Sequence, residues 1–411
     1  MVEKKFIDLF AGCGGLSLGL INAGWKGIFA IEKSPDAFQT LKHNLIDQKV
    51  VNSFNWPVWL PCEAMTTSFL LEHYIDQLKN LQGTIELIAG GPPCQGFSIA
   101  GKRKPDDPRN SLTEEYIRVV DLVKPKFLLL ENVKGFKAAF KIKGSKEQKV
   151  YSKIVKSKLE EIGYIVYDQM LNAADFGVPQ IRERFIMIAV QKDIYRENEN
   201  PFIFLNKNLE EYLINKNLYR NKYTTTKQAI SDLETDCREL VDCEDFKNFK
   251  QIKYSPKNLT KYQKLMREHT NSEKNPNSLR LAKHRNNTKN RFNLILNKYE
   301  KGKNIPKTDL ESFGTNKQCF TPLHPNLPCR TITTLPDDLL HYSEPRILTV
   351  RENARIQSFP DWFDFLGKYT TGGDRRKKEC PRYTQVGNAV PPLMAEALGT
   401  VLLKLEVEYG R

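Results

Sequence analysis

A glycine turn near the N-terminus constrains the fold of this chain more than any other feature. An apolar run typical of a buried strand is followed by Gly12, Gly14 and Gly15, and then by a helical pattern. A second apolar run ends at Glu32, 20 residues after Gly12. This order of strand, glycine turn, helix, strand and acid predicts an α/β fold with an acid placed to bind ribose hydroxyls at the carboxyl edge of a sheet.

The glycine turn departs from the dinucleotide-binding pattern at one position. The pattern Gly-x-Gly-x-x-Gly requires a third glycine, and Ser17 occupies that place. The departure counts against NAD and other pyrophosphate cofactors. A cofactor with a ribose and no phosphate fits better, and S-adenosylmethionine is such a cofactor.

Further apolar runs alternate with helical segments through the first half of the chain. Strands are predicted around residues 87–90, 125–130, 163–167 and 185–190. The alternation predicts a Rossmann-like, mostly parallel sheet with helices packed on it, joined to a second, smaller domain.

The predicted strand at 87–90 stops abruptly at two glycines, Pro92, Pro93 and Cys94. Two successive prolines make a stiff corner, because each has a fixed φ and no N–H donor. A thiol just beyond the carboxyl end of a strand is a candidate nucleophile. Taken alone, a buried turn cysteine is the more frequent explanation.

The charge of the chain is uneven. The formal net charge is +14, and residues 251–310 contain 15 Lys or Arg against 4 Asp or Glu. Such clustering favours a polyanionic partner, nucleic acid above all, over an ordinary solvated basic surface.

Composition also limits the compartment. No run of about 18 apolar residues and no secretory signal are present, so no membrane association is expected and a cytoplasmic location fits. The eight cysteines are dispersed without a Cys-x-x-Cys pair, which predicts neither a zinc site nor disulfides.

Five motifs follow one another along the chain: Phe10-x-Gly12-x-Gly14, Pro92-Pro93-Cys94-Gln95, Glu131-Asn132-Val133, Gln180-x-Arg182-x-Arg184 and Gln385-Val386-Gly387-Asn388-Ala389-Val390-Pro391-Pro392. Together they closely resemble the C5-cytosine-specific DNA methyltransferases, and the chain is similar to the methylases of bacterial type II restriction–modification systems. The resemblance covers about residues 5–190 and 330–405.

The resemblance implies a division of the chain into four parts. They are a catalytic, S-adenosylmethionine-binding domain at 1–193, a target-recognition domain that binds DNA at 194–345, a hinge region at 346–380, and a C-terminal segment at 381–411 that returns to the catalytic domain. The segments 348–360 and 389–405 are predicted to be helical.

The resemblance also implies the catalytic roles. Cys94 is the nucleophile that adds to cytosine C6, and Glu131 binds N3 and the exocyclic amine of the base. Arg184 holds O2 of the base, and Arg182 supports Arg184. Asn132 positions the turn that carries Cys94.

The implied cofactor is S-adenosylmethionine, converted to S-adenosylhomocysteine, with no metal. Lys33 stands where many relatives have an aromatic residue, and Glu63 is the acid nearest to the place of the adenine-reading acid. The cofactor-binding residues are expected to be Phe10, Ala11, Gly12, Gly14, Gly15, Leu16, Glu32, Lys33, Glu63, Pro92, Leu112, Asn388 and Ala389.

Double-stranded DNA is the implied substrate, with the target cytosine flipped out of the duplex. We expect the enzyme to be functionally paired with a cognate restriction endonuclease, from which its methylation protects host DNA. We also expect the enzyme to be a monomer. The expected DNA contacts are Gln95, Ser98, Lys102, Arg103, Arg330 and Thr331.

Two alternatives stay open at this point. Cys319-Phe320-Thr321 matches a triplet of the tRNA-methylating branch of the same fold, which leaves an RNA cytosine-5 methyltransferase open, whereas the long basic region and residues 328–333 resemble the DNA branch. The other alternative is a catalytically inactive DNA-binding relic.

Overall fold

A computed structural model describes residues 3–48, 50–51, 54–93, 111–141, 148–193, 200–236, 238–270, 275–315, 317, 319–373, 375 and 378–409. The chain divides into two compact units. Unit 1 consists of Met1–Asn172, Glu183–Glu210 and Met394–Arg411, and unit 2 consists of Ala173–Arg182 and Glu211–Leu393.

Unit 1 is built on one six-stranded sheet. Its strands are β1 (Lys5–Leu9), β2 (Lys26–Ile31), β3 (Leu87–Gly90), β4 (Phe127–Asn132), β7 (Tyr164–Asn172) and β8 (Glu183–Gln191). Between β4 and β7 in sequence, β5 (Ala139–Lys141) and β6 (Gln148–Val150) form a separate two-stranded sheet. The order in the large sheet is β2-β1-β3-β4-β8-β7. Strands β1 to β4 pair in parallel, and β8 runs antiparallel to both of its neighbours. The predicted mostly parallel α/β sheet is confirmed.

Helices accompany the strands in the predicted alternation. They are α1 (Gly15–Asn22), α2 (Pro35–Lys42), α3 (Thr67–His73), α4 (Ile75–Asn80), α5 (Ser111–Val123), α6 (Tyr151–Glu161) and α7 (Pro201–Asn215), the last of which crosses the boundary between the units. Side chains of the sheet and of α3 to α6 form one apolar core. Burial on both faces explains why β3 and β4 are continuous apolar runs and do not alternate with polar residues.

Close backbone packing beneath the proline corner requires a glycine. A Cβ built on Gly90 would lie 2.6 Å from the carbonyl oxygen of Leu9 in the neighbouring strand. Because that oxygen belongs to the backbone of a buried strand, it cannot move aside cheaply. Gly90 therefore allows β1 and β3 to end side by side, so that the glycine turn and the proline corner lie at one sheet edge.

Unit 2 contains short elements. They are α8 (Thr226–Ile230), β9 (Leu240–Asp242), β10 (Lys250–Ile252), α9 (Lys261–Met266), α10 (Asn286–Lys298), α11 (Lys307–Ser312), β11 (Thr321–Pro322), β12 (Leu339–Leu340), α12 (Val350–Ile356) and α13 (Arg382–Asn388). Buried charges contribute to its interior: the Arg355 guanidinium donates to both carboxylate oxygens of Asp232 and of Asp361. Removing the Arg355 guanidinium would leave the buried Asp232 carboxylate without its cation.

The last helix, α14 (Pro392–Tyr409), begins later than predicted. Ala389 is extended, with φ −63° and ψ 147°, so it ends α13 and does not open α14. Pro392 is then the first helical residue, where its missing N–H is harmless. The stretch Arg382–Val407 is long and apolar enough to span a membrane, but 72% of its apolar 18-residue window is buried inside the protein.

Candidate active site

The glycine turn joins β1 to α1 through two left-handed glycines. Gly12 has φ +59° and Gly14 has φ +96°, a region that side chains with a Cβ rarely adopt. A Cβ on Gly14 would also lie 2.9 Å from a methyl carbon of Leu45, whereas nothing lies within 4 Å of the position at Gly12. Gly14 is therefore required by packing, and Gly12 leaves its backbone open to a ligand.

Glu32 is bonded to this turn. One of its carboxylate oxygens accepts the N–H of Gly12 at 2.9 Å, and the other accepts the N–H of Ser34 at 2.8 Å. Burial raises the pKa of Glu32, and the two backbone N–H groups oppose the rise. The spacing of 20 residues thus corresponds to direct contact between turn and acid.

A second acid beside the turn, Asp8, was missed by the sequence reasoning. Asp8 lies in β1 and is fully buried, and its Oδ2 accepts the hydroxyl of Ser17 at 2.5 Å. Its Oδ1 has no hydrogen-bond partner among the described residues. Burial, together with a smaller contribution from the nearby charge of Glu32, raises the pKa of Asp8 to about 7. Asp8 is the polar residue inside an apolar strand, and Ser17 stands in place of the third glycine. The hydrogen bond between them explains both departures from the pattern.

We predict that Asp8→Asn removes a pH dependence of stability. The pKa of Asp8 rises from 3.8 to about 7, so its stabilising contribution is complete below pH 4 and is lost as the pH rises through 7. The free energy of unfolding of the variant relative to wild type is expected to increase by about 2–3 kcal/mol between pH 5 and pH 8.5. Urea unfolding at both values checks this. Asp76→Asn, at a surface ion pair 81% exposed, is the control and should show no such change; equal pH profiles for Asp8→Asn and wild type would contradict the prediction.

The other expected cofactor residues of unit 1 lie around the same sheet edge or on its surface. Phe10 follows β1 with φ +61° and packs partly on the core. The N–H of Ala11 donates to Ile31 at 2.9 Å, which ties the turn to β2. Gly15 and Leu16 are buried in the first turn of α1, Pro92 is buried, Leu112 is half-buried in α5, and Lys33 and Glu63 are exposed. The chain returns to Glu32 two residues after Glu63, where Met65 N–H donates to the carbonyl of Glu32 at 3.0 Å.

The proline corner is held by the strand next to it. Asn132, at the end of β4 and 4% exposed, donates its Nδ2 to the carbonyl of Pro92 at 2.9 Å, and its Oδ1 accepts the N–H of Val133 at 2.9 Å. Both arms of the amide are therefore occupied, which fixes its orientation. The bond reaches the residue two positions before Cys94, which supports the prediction that Asn132 positions this turn.

Glu131 and Arg184 form an ion pair beside this corner. Arg184 Nε lies 2.8 Å from Glu131 Oε1, and the two side chains are 12% and 13% exposed. Antiparallel pairing of β4 with β8 places Glu131 opposite Ile186, so that the two charged residues lie on adjacent strands. The Arg184 Nη1 also donates to the carbonyl of Glu183 at 2.8 Å, which restricts the guanidinium.

Gly91 lies directly against this pair. A Cβ built on Gly91 would be 3.3 Å from Oε2 of Glu131, the carboxylate oxygen that Arg184 Nε does not bind. Sequence motifs 40 or more residues apart thus meet at the carboxyl ends of β3 and β4. The arrangement offers a hydrogen-bonding carboxylate and a planar donor fork in one place, which can bind the polar edge of a heterocycle.

Arg182 lies in unit 2 and is 2% exposed. Its guanidinium donates to the carbonyls of Ile332 at 3.1 Å, Gly387 at 2.8 Å and Ala389 at 3.3 Å. Buried donors used in this way are not free to bind a substrate. These bonds tie the motif around 180 to two distant motifs, and the support of Arg184 by Arg182 stays a prediction.

Neighbouring contacts complete this convergence. Gln180 accepts the N–H of Ile332 at 2.9 Å, and Gln357 donates to the carbonyl of Ala389 at 2.6 Å. A Cβ on Gly387 would lie 2.3 Å from the carbonyl oxygen of Thr333, so the two segments approach too closely for any other residue. The motif around 180 therefore meets two motifs that lie 150 or more residues further along the chain, and the three form one backbone junction in unit 2.

We predict that Arg182→Lys lowers the free energy of unfolding by about 2–4 kcal/mol, because a single compact ammonium cannot reproduce the planar spread of the two guanidinium nitrogens that bond the three buried carbonyls. Arg330→Lys makes the same chemical change at an exposed residue of the same unit and is expected to cost less than about 0.5 kcal/mol. Denaturant unfolding of both variants measures the difference. Equal, small effects would show that the junction does not depend on the guanidinium.

The remaining predicted contacts fall in unit 2 or outside the described residues. Arg330 is exposed, and Thr331 donates its hydroxyl to the carbonyl of Ile181 at 2.8 Å. Asn388 is exposed at the end of α13, and Ala389 is half-buried. Cys94, Gln95, Ser98, Lys102 and Arg103 lie outside the described residues.

Metal and disulfide chemistry find no support in the described part of the chain. No cluster of three or more His, Cys, Asp or Glu that could hold a metal ion occurs there. None of the cysteines described, namely Cys13, Cys62, Cys243, Cys319, Cys329 and Cys380, forms a disulfide with another of them.

A mostly parallel sheet with one antiparallel strand near its edge, a glycine turn after its first strand and an acid at the end of its second is consistent with the S-adenosylmethionine-dependent methyltransferase fold. The family model "C-5 cytosine-specific DNA methylase" matches residues 4–404. The chain belongs to the C-5 cytosine-specific DNA methylase family, whose reaction is methylation of cytosine C5 in DNA.

Relatives span nearly the whole chain. The type II methyltransferase M.DdeI of Desulfomicrobium norvegicum is 32% identical over 96% of this chain and 87% of its own length. The type II methyltransferase M1.HphI of Haemophilus parahaemolyticus is 30% identical over 98% and 88%. A solved structure described as a DNA modification methyltransferase encoded within an E. coli prophage is 25% identical, with a TM-score of 0.67, over 99% of this chain and 100% of that one.

These matches favour the DNA methyltransferase over both alternatives. The triplet that suggested an RNA substrate has a packing explanation. Phe320 is 4% exposed and stacks on Phe292 with ring centroids 5.6 Å apart, and Thr321 is fully buried in β11. Two of its three residues are thus core positions of unit 2.

Proposed function

We propose that this protein transfers the methyl group of S-adenosylmethionine to C5 of a cytosine flipped out of a specific short duplex DNA sequence, and that it protects host DNA in a restriction–modification system. The observation that carries the proposal is the Glu131–Arg184 pair, which lies beside the corner that leads to Cys94. A carboxyl group that shares a proton with N3 and accepts from the exocyclic amine, together with a guanidinium that donates to O2, matches this edge of cytosine.

The residues of the chain act on the base in a defined order. The Cys94 thiolate forms a bond to C6, and the displaced electron pair makes C5 nucleophilic. Glu131 binds N3 and the amine, and Arg184 donates to O2, so both hold charge that develops in the ring. After C5 has gained the methyl group, a base removes its proton and the C6–S bond breaks, which regenerates the thiolate.

The cradle at the end of β1 and β2 fits the proposed cofactor. Glu32 offers carboxylate oxygens for ribose hydroxyls, and the Gly12 backbone has open space where a side chain would lie. Because S-adenosylmethionine has no phosphate, its site does not need basic groups that would bind a pyrophosphate. When bound, S-adenosylmethionine supplies an electrophilic methyl group. Phe10, Glu63 and Leu112 of unit 1 are proposed to bind its adenine, and Asn388 its methionine end.

The partners follow from the same reaction. We propose that the enzyme acts as a monomer on double-stranded DNA in the cytoplasm, with residues 194–345 as the target-recognition region. The relatives M.DdeI and M1.HphI are type II methyltransferases, which supports the pairing with a cognate restriction endonuclease.

Bisulfite sequencing of DNA from cells that express the chain tests the proposal. One short sequence is expected to resist conversion at a single cytosine on each occurrence, and purified enzyme should transfer labelled methyl groups to duplex DNA and not to tRNA. The Glu131→Ala strain serves as the control without methylation. Methylation confined to tRNA, or no protected cytosine with folded wild-type protein, would refute the proposed function.

A further inference from the structure

Helix α10 of unit 2 has one buried side and one fully solvent-facing side. Phe292 and Ile295 point into an apolar cluster with Ile305, Leu310 and Phe320. Their burial, 4% and 1% exposed, accounts for the packing of the helix. The residues on the opposite side are therefore not constrained by packing of the core.

Four asparagines occupy that opposite side. Asn286, Asn290, Asn293 and Asn297 follow the spacing i, i+4, i+7 and i+11, which places them in one row, and all four are exposed. The row extends about 16 Å along the helix axis. Asparagine is a weak helix former, costing about half a kcal/mol relative to alanine at each exposed position. Neither packing nor helix propensity explains a continuous asparagine row.

The surroundings of the row are cationic without compensation. From Asn275 to Tyr299 the sequence contains six Lys or Arg and no Asp or Glu. Arg285 and Lys289 are exposed and make no ion pair with any carboxylate that the structure describes. Lysines on the surface of unit 1 behave differently: Lys134 and Lys158, for example, pair with Glu183 and Glu114 at 2.9 Å and 2.5 Å. The surface around α10 is thus complementary to a polyanion.

We propose that α10 enters the major groove of the target DNA and that its asparagine row reads adenine. An α-helix fits the major groove, and asparagine forms a bidentate hydrogen-bond pair with N6 and N7 of adenine. Arg285 and Lys289 flank the row and bind backbone phosphates. The inference rests on the proposed function, since it names the residues that read bases for the same methylation reaction.

The recognition sequence is therefore expected to include at least one A·T pair contacted by α10. Asn290→Ala/Asn293→Ala should retain the fold, because alanine favours the helix and both positions are exposed. We expect this variant to bind the target duplex about 10- to 100-fold more weakly. Its affinity for unrelated duplex should be unchanged. Replacing the contacted adenine by 7-deazaadenine should weaken wild-type binding and leave variant binding unchanged.

Two single variants separate base reading from general electrostatics. Lys289→Ala is expected to weaken binding to target and unrelated DNA alike and to reduce the salt slope by about one. Lys307→Ala on α11 changes an exposed lysine that already has Glu311 at 3.8 Å, and it should leave binding unchanged. Fluorescence anisotropy over a salt series measures all three variants.

The outcomes distinguish this inference from the proposed function. If wild-type protein methylates duplex DNA but its recognition sequence lacks an A·T pair, or the double asparagine variant keeps full discrimination, α10 does not read bases. If Asn290→Ala/Asn293→Ala weakens target and unrelated DNA equally, the row binds only the backbone and the inference is also wrong. If wild-type protein methylates no duplex DNA, the proposed function itself fails.

Discussion

Cys94→Ala is expected to abolish methyl transfer, with single-turnover rates on target DNA reduced by at least about 10,000-fold. Alanine cannot form the bond to C6, so C5 stays a poor nucleophile and the methyl group is not transferred. Binding of S-adenosylmethionine and of target DNA should survive, because neither depends on the thiol. Rapid-quench measurement with labelled cofactor, together with equilibrium binding of both ligands, gives the comparison.

Cys319→Ala is the matched control for this prediction. It removes another thiol, which is half-buried in unit 2, and it is expected to leave the rate unchanged. Normal turnover by Cys94→Ala would show that Cys94 is not the nucleophile. It would do so even if every other element of the site were correct, because the remaining chemistry depends on the bond to C6.

Glu131→Gln is expected to lower kcat by about 1,000-fold while binding of the cofactor stays within about twofold of wild type. The substitution keeps the shape of the side chain but removes the charge that lies 2.8 Å from Arg184 Nε. It also removes the proton that a carboxyl group can share with N3 of cytosine. Steady-state kinetics separate this loss from an effect on KM, which should change far less.

Glu183→Gln controls for the loss of a carboxylate near Arg184. Glu183 precedes Arg184 in β8, is 53% exposed and pairs with Lys134 on the surface. We expect less than a twofold change in kcat, because exposed pairs contribute little. If both glutamine variants lowered kcat equally, the assignment of Glu131 to the base would have to be abandoned in favour of a general electrostatic effect.

The sequence predicts those parts of the fold that depend on local patterns. The glycine turn with Glu32 and the apolar runs of β3 and β4 can be recognised in the sequence. Burial and backbone conformation restrict the residue types at consecutive positions there. Boundaries were less accurate: helix α14 begins at Pro392, not at Ala389, since Ala389 is extended. Composition and periodicity do not predict the backbone conformation of a single residue such as Ala389.

The candidate site shows where sequence patterns become ambiguous. Arg182 and Arg184 are two residues apart in one motif, yet one is buried against carbonyls of unit 2 and the other pairs with Glu131. Residue type alone cannot separate them, because the difference arises from partners that are distant in sequence. Asp8 was missed for a similar reason: its pKa rises through burial, which is a property of the folded sheet.

The most direct test of the central claim is a covalent adduct between the enzyme and target DNA that contains 5-fluorocytosine. Fluorine at C5 cannot leave as a proton does, so the Cys94–C6 bond should persist through denaturation. In a tryptic digest, the peptide from Asn80 to Lys102 contains Cys94 as its only cysteine and should carry the modified nucleotide. An adduct on another cysteine, or efficient methylation of ordinary target DNA without any adduct on the fluorinated one, would contradict the account.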